Sequence, residues 1–245
     1  NGMRDDYRNY LFEHYLNVVN RYRPKLFVFE NVPGMLTAKK GLIWKRIQQR
    51  LKTVGYSIEY RLVNSHDFGV LQNRKRIIII GWRKDLNLRY PNFPKIEIDA
   101  IVNDILNDLP HLEPGGEHNE YVANPSEYLI ATGIRNENDV LTDHQTRNIR
   151  EVDRDIYRIA IEMWNNNHER LRYTDLPEEL QFHNNIISFL DRFKVVEGDM
   201  ECAHTMLAHI SKDGHYYIHP DIEQARSLSV REAARIQSFP DDFYF

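Results

Sequence analysis

Apolar side chains recur at Leu11, Tyr15, Val18, Val19 and Tyr22, the spacing of one helix face. They predict a helix over residues 8–22 that Pro24 stops. Leu26-Phe27-Val28-Phe29 follows as a short run without polar alternation. Such a run suits a strand buried on both faces, as in a parallel sheet covered by helices. Glu30-Asn31-Val32-Pro33-Gly34 breaks it. Leu42, Ile43, Ile47, Leu51 and Val54 mark a second helix, with Gly55 as its C-terminal cap. Tyr56 to Val63 alternates and predicts a strand, and Gln72-Asn73-Arg74-Lys75-Arg76 leads into another buried strand, Ile77 to Gly81. Helix, strand, helix, strand, strand is the order of an open α/β sheet.

The pattern changes near Tyr90-Pro91-Asn92-Phe93-Pro94. From there to about residue 225 the chain is more polar and irregularly punctuated, for example at Pro114-Gly115-Gly116. Helical pieces are expected from Ile101 to Leu109 and from Arg147 to Trp164, without long apolar strands. The expected organisation is therefore a sheet domain over residues 1–90, a smaller second domain over 91–225, and a closing segment over 226–245. In that closing segment Ser229 and Glu232 have the spacing of a capping box. They predict a short helix to about Ser238, stopped by Pro240. Arg231 and Arg235 lie one turn apart on it, and the segment as a whole, with Arg226, suits a helix that docks two lobes together.

Composition narrows the class. The chain has 245 residues and 42% hydrophobic content, enough for one large or two modest cores. It holds no apolar run of membrane-spanning length. A single cysteine, Cys202, excludes a disulfide framework and fits a reducing, cytoplasmic setting. The net charge of −4 slightly repels nucleic acid, so any phosphate contact has to come from local basic clusters. The stretch from Arg147 to Asp155 mixes both signs and reads as a solvated helix face.

Several residues are candidates for chemistry. Glu30 sits where a buried strand ends, the place where open α/β sheets bind ligands. After four apolar residues its carboxyl is expected to be partly desolvated, with a raised pKa suited to sharing a proton; a structural ion pair is the alternative. Gln72, Arg74 and Arg76 are spaced by two, which on extended backbone puts them on one face. The two guanidinium groups suit anion or base recognition. His204, His209, His215 and His219 cluster in sequence but lack metal-ligand spacing, so no metal is expected. Cys202, in a polar segment far from Glu30, reads as an ordinary small residue. No GxGxxG, Walker or GxSxG loop occurs, which argues against a dinucleotide oxidoreductase.

Three segments together resemble the DNA cytosine-C5 methyltransferases, bacterial restriction-modification type. They are Glu30-Asn31-Val32 at a strand end, Gln72-Asn73-Arg74-Lys75-Arg76 before a strand, and the block from Arg226 to Pro240. Asp6-Tyr7-Arg8-Asn9-Tyr10-Leu11 is similar to the segment that follows the family's catalytic loop. The resemblance implies the C-terminal part of a Rossmann-like S-adenosylmethionine-dependent methyltransferase sheet, plus a smaller mixed target-recognition domain at about 91–225. It implies a cytosine flipped out of duplex DNA and attacked at C6 by a cysteine, after which C5 takes the methyl group. Glu30 would then meet N3 and the exocyclic amine, Arg76 the O2, and Arg74 the catalytic loop or a phosphate. Leu11 would lie beside the cofactor. Asn31, Gln72, Arg226, Arg231 and Arg235 would serve DNA binding or structure, with the last block bracing the recognition domain, which reads the major groove.

The resemblance has gaps. The family's Pro-Cys loop lies farther upstream of Glu-Asn-Val than the 29 residues present here, and the glycine-rich donor loop is missing. The expectation is a fragment, inactive alone, that needs an N-terminal segment or partner subunit carrying the Pro-Cys loop. A nucleoid-associated bacterial enzyme is the leading expectation; a tRNA cytosine methyltransferase and a non-catalytic DNA-binding module are the alternatives.

Overall fold

The computed structural model describes residues 11–245. These form two compact units, one of residues up to 68 together with 74–96, the other of 69–73 together with 97–245. The division thus falls at 96/97, and residues 226–245 pack inside the second unit.

In the first unit α1 (Leu11–Tyr22) buries Leu16 and Val19 and leaves Leu11, Val18 and Tyr22 exposed. Arg23, in the left-handed region at φ 47°, ends the helix before Pro24. β1 (Leu26–Asn31) follows, then the single turn α2 (Gly34–Thr37) and α3 (Leu42–Thr53), which buries Trp44, Ile47 and Leu51. Gly55, at φ 89°, donates its N–H to the Lys52 carbonyl and closes α3 as expected.

β2 (Tyr56–Asn64) and β4 (Lys75–Arg83) complete a three-stranded sheet of order β1-β4-β2; β3 (Gln72–Asn73) lies in the second unit. Both pairings are antiparallel, with Phe27 opposite Gly81 and Ile58 opposite the same glycine. The expectation of a parallel pairing for Leu26–Phe29 is therefore corrected for the described strands. Burial on both faces is corrected too. Phe27 is buried, but Leu26 is 48% and Val28 55% exposed. The strand buried on both faces is β4, with Ile77 and Ile79 on one side and Ile80 and Trp82 on the other. An apolar run reports that a strand is apolar; it does not say which strand takes the sheet's centre or which way its neighbour runs.

The second unit has two apolar cores. Val102, Ile105, Leu129, Val196, Tyr217, Leu228 and Ile236 are among the residues of one. The other is built on α5 (Glu151–Asn167), whose Ile156, Tyr157, Ile161 and Trp164 meet Tyr173, Phe193 and Ile218. α4 (Glu127–Ala131) is capped by Ser126 and α6 (Ile186–Phe189) by Asn185. The helix expected over 101–109 is one 3-10 turn, Val102–Ile105. β3 pairs in parallel with β5 (Ala203–His204). α7 (Val230–Ile236) carries the expected capping box: Ser229 Oγ accepts from the Glu232 N–H at 3.1 Å, and the Ser229 N–H donates to Glu232 Oε2 at 2.7 Å. The Arg147–Asp155 stretch is not uniformly solvated, because Asp153 is buried at the first turn of α5 under a two-pronged bond from Arg150. No helix among the described residues is long and apolar enough to cross a membrane.

Candidate functional site

Glu30 is the penultimate residue of β1 and lies opposite Ile78 of β4. Side chains alternate along a strand, so Arg76, two residues back, is the diagonal neighbour of Glu30 on the same face. Arg76 Nε lies 2.8 Å from Glu30 Oε1 in an ion pair, and Arg76 Nη1 donates to the Lys75 carbonyl at 2.8 Å. The Arg76 side chain is 17% exposed and the Glu30 side chain 50%. The expected desolvation of Glu30 is therefore corrected: its carboxylate is half open to solvent, near the end of β1, an edge strand of the three-stranded sheet among the described residues. The ion-paired alternative matches the geometry.

Arg74 is half-buried next to this pair. Burial, then the Arg76 charge, pull its guanidinium below the ordinary arginine value, while Glu30 pulls the other way. The Arg74 carbonyl accepts from the Ser65 N–H, which fixes the entry to β4. Asn31 turns the chain after Glu30, its Oδ1 accepting from the Val32 N–H at 2.8 Å. Leu11 is half exposed at the start of α1; Asp6 to Tyr10 lie outside the described residues.

Gln72 does not join the arginines. The expectation of a shared outward face is overturned: Gln72 is 1% exposed and belongs to the second unit. Its Nε2 donates to the Ile236 carbonyl at 3.0 Å and its Oε1 accepts from the Met206 N–H at 3.2 Å. The period-2 argument fails because β3 and β4 are separate strands, with Arg74 between them.

Arg226, Arg231 and Arg235 are likewise buried, at 0%, 0% and 1% exposure. Arg226 makes a forked pair with Glu232, at 2.8 and 2.7 Å. Arg231 donates to the Thr142 carbonyl and hydroxyl and to the Pro240 and Phe243 carbonyls. Arg235 bridges Asp108 and Asp241 and donates to the Ile105 carbonyl at 2.8 Å. Arg135 shares Asp108, and the Tyr121 hydroxyl donates to Asp241 at 2.7 Å. Their partners all lie in the second unit, and side chains so enclosed do not reach a phosphate.

Burial by itself would raise the Glu232 carboxyl, but the Arg226 charge and hydrogen bond together with His219 and His144 outweigh it and hold the group well below the carboxylate range. His219, buried beside Glu232, is pushed by desolvation down to about 4. Sequence reasoning found the arginines and Glu232 but missed Asp108, Asp241 and His219. An aspartate among apolar neighbours, as in Leu106-Asn107-Asp108-Leu109, is the signal that could have found one of them, since buried carboxylates need a cation.

Cys202 is half-buried, and burial with Glu197 and Glu201 nearby pushes its thiol up. The four clustered histidines take separate partners. His204 binds Glu197 and the Tyr216 carbonyl, His215 the Tyr157 hydroxyl, and His209 packs on Tyr216.

A half-exposed carboxylate joined to an arginine at a strand end can hold a planar heterocycle by one edge. A solved protein with this fold is a DNA modification methyltransferase, so described, from an E. coli prophage: TM-score 0.64 at 24% identity, covering 98% of this chain and 66% of that one. The family model for C-5 cytosine-specific DNA methylase matches residues 1–245, and the chain belongs to that family. Type II methyltransferase M.Bpa9945I of Bacillus paralicheniformis is 44% identical across 98% of this chain and 58% of its own length. Type II methyltransferase M.XorII of Xanthomonas oryzae is 32% identical across 98% of this chain and 56% of its own. The chain thus spans little more than half the length of these relatives.

Proposed function

We propose that this chain is the base-holding part of an enzyme that methylates C5 of a flipped cytosine in duplex DNA, with S-adenosylmethionine as donor. The carrying observation is the 2.8 Å Glu30–Arg76 pair. Among the described residues Glu30 Oε2 and Arg76 Nη2 keep no hydrogen bond, so acceptor and donor stand side by side at the strand end. Cytosine offers an amine donor beside two acceptors, N3 and O2. Glu30 accepts from the amine and, when protonated, donates to N3; Arg76 donates to O2. As a nucleophile adds at C6, negative charge grows on the N3–O2 edge, where the Glu30 proton and the Arg76 cation stabilise it. Arg74, cationic beside them, holds the approaching loop or a phosphate.

Two other groups have to come from outside these residues. Cys202 is a poor nucleophile, because its surroundings disfavour the thiolate. Leu11, half exposed on α1, does not by itself make a pocket for S-adenosylmethionine, which supplies the methyl group in the complete enzyme. The chain alone is therefore inactive and works with an N-terminal segment or partner subunit that carries a Pro-Cys loop. A cytoplasmic, nucleoid-associated place in a bacterial restriction-modification system goes with that substrate.

The test is reconstitution. Co-expression with such a segment is expected to give methyl transfer to duplex DNA, and Glu30→Gln in the reconstituted enzyme is expected to lower kcat by about 100-fold or more. Full turnover in Glu30→Gln would make Glu30 structural. Methylation of tRNA in place of duplex DNA would overturn the substrate.

A further inference from the structure

We propose that Lys194 and Tyr216 form a seat for the sugar–phosphate backbone of duplex DNA on the second unit. This rests on the reading above and adds the residues that make the contact. A chain of net charge −4 needs local cations to hold DNA at all.

The backbone builds the seat. The Lys194 N–H donates to the His215 carbonyl at 2.7 Å, and the Ile218 N–H donates to the Lys194 carbonyl at 2.9 Å. Residues 214–217 form a turn, closed by the Tyr217 N–H donating to the Gly214 carbonyl at 2.9 Å. Tyr217 is fully buried, with its hydroxyl taking the Leu207 N–H, while Tyr216 is half-buried at the edge of the same core. The Tyr216 carbonyl is held from behind by His204 Nε2 at 2.7 Å, and His204 is fixed by the buried Glu197. His209 packs edge-on against the Tyr216 ring, centroids 5.5 Å apart. The ring therefore stands on a braced turn.

The charges around it are not all spent. Arg192 lies over the Tyr216 ring but is paired with Asp213, and Arg170 is paired with Glu197. Lys194 Nζ lies 5.3 Å from the same ring centroid and has no ion-pair partner among the described residues. Burial and the Arg170 charge push its ammonium below the ordinary lysine value, while the Glu197 and Asp191 charges pull the other way without forming an ion pair with it. The Tyr216 hydroxyl has no hydrogen-bond partner among the described residues. An ammonium without an ion-pair partner beside an open phenol donor, on an aromatic face, matches a phosphodiester: the lysine takes one anionic oxygen and the hydroxyl donates to the backbone beside it. Such contacts position DNA without reading its sequence, so they are present on any duplex.

The experiment uses the complete reconstituted enzyme and a fluorescein-labelled mixed-sequence duplex of about 30 base pairs, roughly three helical turns, followed by anisotropy across a salt series. Lys194→Gln is expected to weaken binding roughly five- to tenfold near 0.1 M salt and to reduce the slope of log K against log salt by about 1. Tyr216→Phe is expected to weaken binding with the slope kept. Lys194→Arg is expected to keep the wild-type slope. Circular dichroism establishes that each variant is folded; should Lys194→Gln fail to fold, Lys194→Arg and Tyr216→Phe carry the test. Wild-type affinity in the glutamine and phenylalanine variants would overturn the proposal, as would weaker binding with an unchanged slope in Lys194→Gln. A slope change seen on tRNA and absent on the duplex would overturn it as well. An enzyme that methylates DNA but ignores these substitutions would sink this inference alone. One that binds duplex through Lys194 yet transfers no methyl group would sink the enzymatic reading and leave this one standing.

Discussion

Glu30 Oε1 and Arg76 Nε stand 2.8 Å apart across neighbouring antiparallel strands, with the carboxylate half exposed and the guanidinium mostly covered. Half-exposed pairs contribute little to stability, about 0–1 kcal/mol. Arg76→Gln is therefore expected to shift the urea midpoint only slightly while lowering kcat/KM of the reconstituted enzyme about 100-fold, the scale of one lost donor at a developing charge. A large stability loss with intact turnover would mean that the pair holds the sheet and does not serve the base.

Gly81 faces Phe27 across the same sheet. A Cβ on Gly81 would meet the Phe27 ring at 2.1 Å, so the glycine is the bed on which that ring lies. Gly81→Ala is expected to cost about 1–3 kcal/mol by displacing the ring. Adding Phe27→Leu should recover part of the loss, because the smaller side chain vacates the contact. A denaturant double-mutant cycle with no coupling between the two positions would show that the ring relocates freely.

What the sequence revealed and what it hid follow from the range of each signal. The Ile47–Leu51 helix face, the Gly55 cap and the Ser229–Glu232 box depend on residues within a turn or so of each other, and pattern alone exposes them; the first helix was legible as a helix, but its buried face holds Leu16 with Val19 and leaves Leu11, Val18 and Tyr22 exposed. Strand direction depends on partners fifty residues away, so Leu26–Phe29 suggested a parallel neighbour where β4 is antiparallel. Gln72 looked like the companion of Arg74 and Arg76 because spacing cannot tell that a strand ends between them. The arginines of the last block were visible as arginines, but their burial depends on Asp108 and Asp241, one of them more than a hundred residues away.

Gln72 makes a prediction of its own. Its amide joins the Ile236 carbonyl and the Met206 N–H inside the second unit. Gln72→Leu removes both bonds and leaves two buried backbone groups unsatisfied. The expected cost is about 2–6 kcal/mol, from about 1–3 for each buried group left without a partner. It is read from the chemical-denaturation midpoint. A neutral result would place Gln72 at a site that water reaches.

Arg235 ties Asp108 and Asp241 together in a fully enclosed site. Removing one member of a buried ionic cluster leaves uncompensated charge, about 3–5 kcal/mol. Arg235→Met is expected to lose that much, and Arg235→Lys to lose less, because the ammonium keeps the charge without the fork that reaches both carboxylates. Equal losses from both substitutions would show that geometry, and not charge, dominates the cluster.

The same buried region predicts how stability follows pH. His219 is pushed by burial from 6.5 down to about 4, with Glu232 and Asp221 opposing that shift and Arg226 and His111 adding to it. His215 is displaced to about 4 as well, again chiefly by burial. Between about pH 6.5 and 4 the unfolded chain binds protons that the folded chain refuses, so stability falls as pH drops through that window. A displacement of this size in a fully buried histidine is worth on the order of 3 kcal/mol. Glu232 behaves differently: its folded value is depressed, so its contribution is intact above the ordinary carboxylate range and is lost only at lower pH. His219→Gln removes one titrating group without touching the carboxylates. It is expected to flatten the fall between pH 6.5 and 4, in urea titrations at successive pH values, while leaving the steeper loss below pH 4. If wild type and variant run parallel through that window, His219 is already protonated in the fold, and the charge beside Glu232 and Arg226 has to be reassigned.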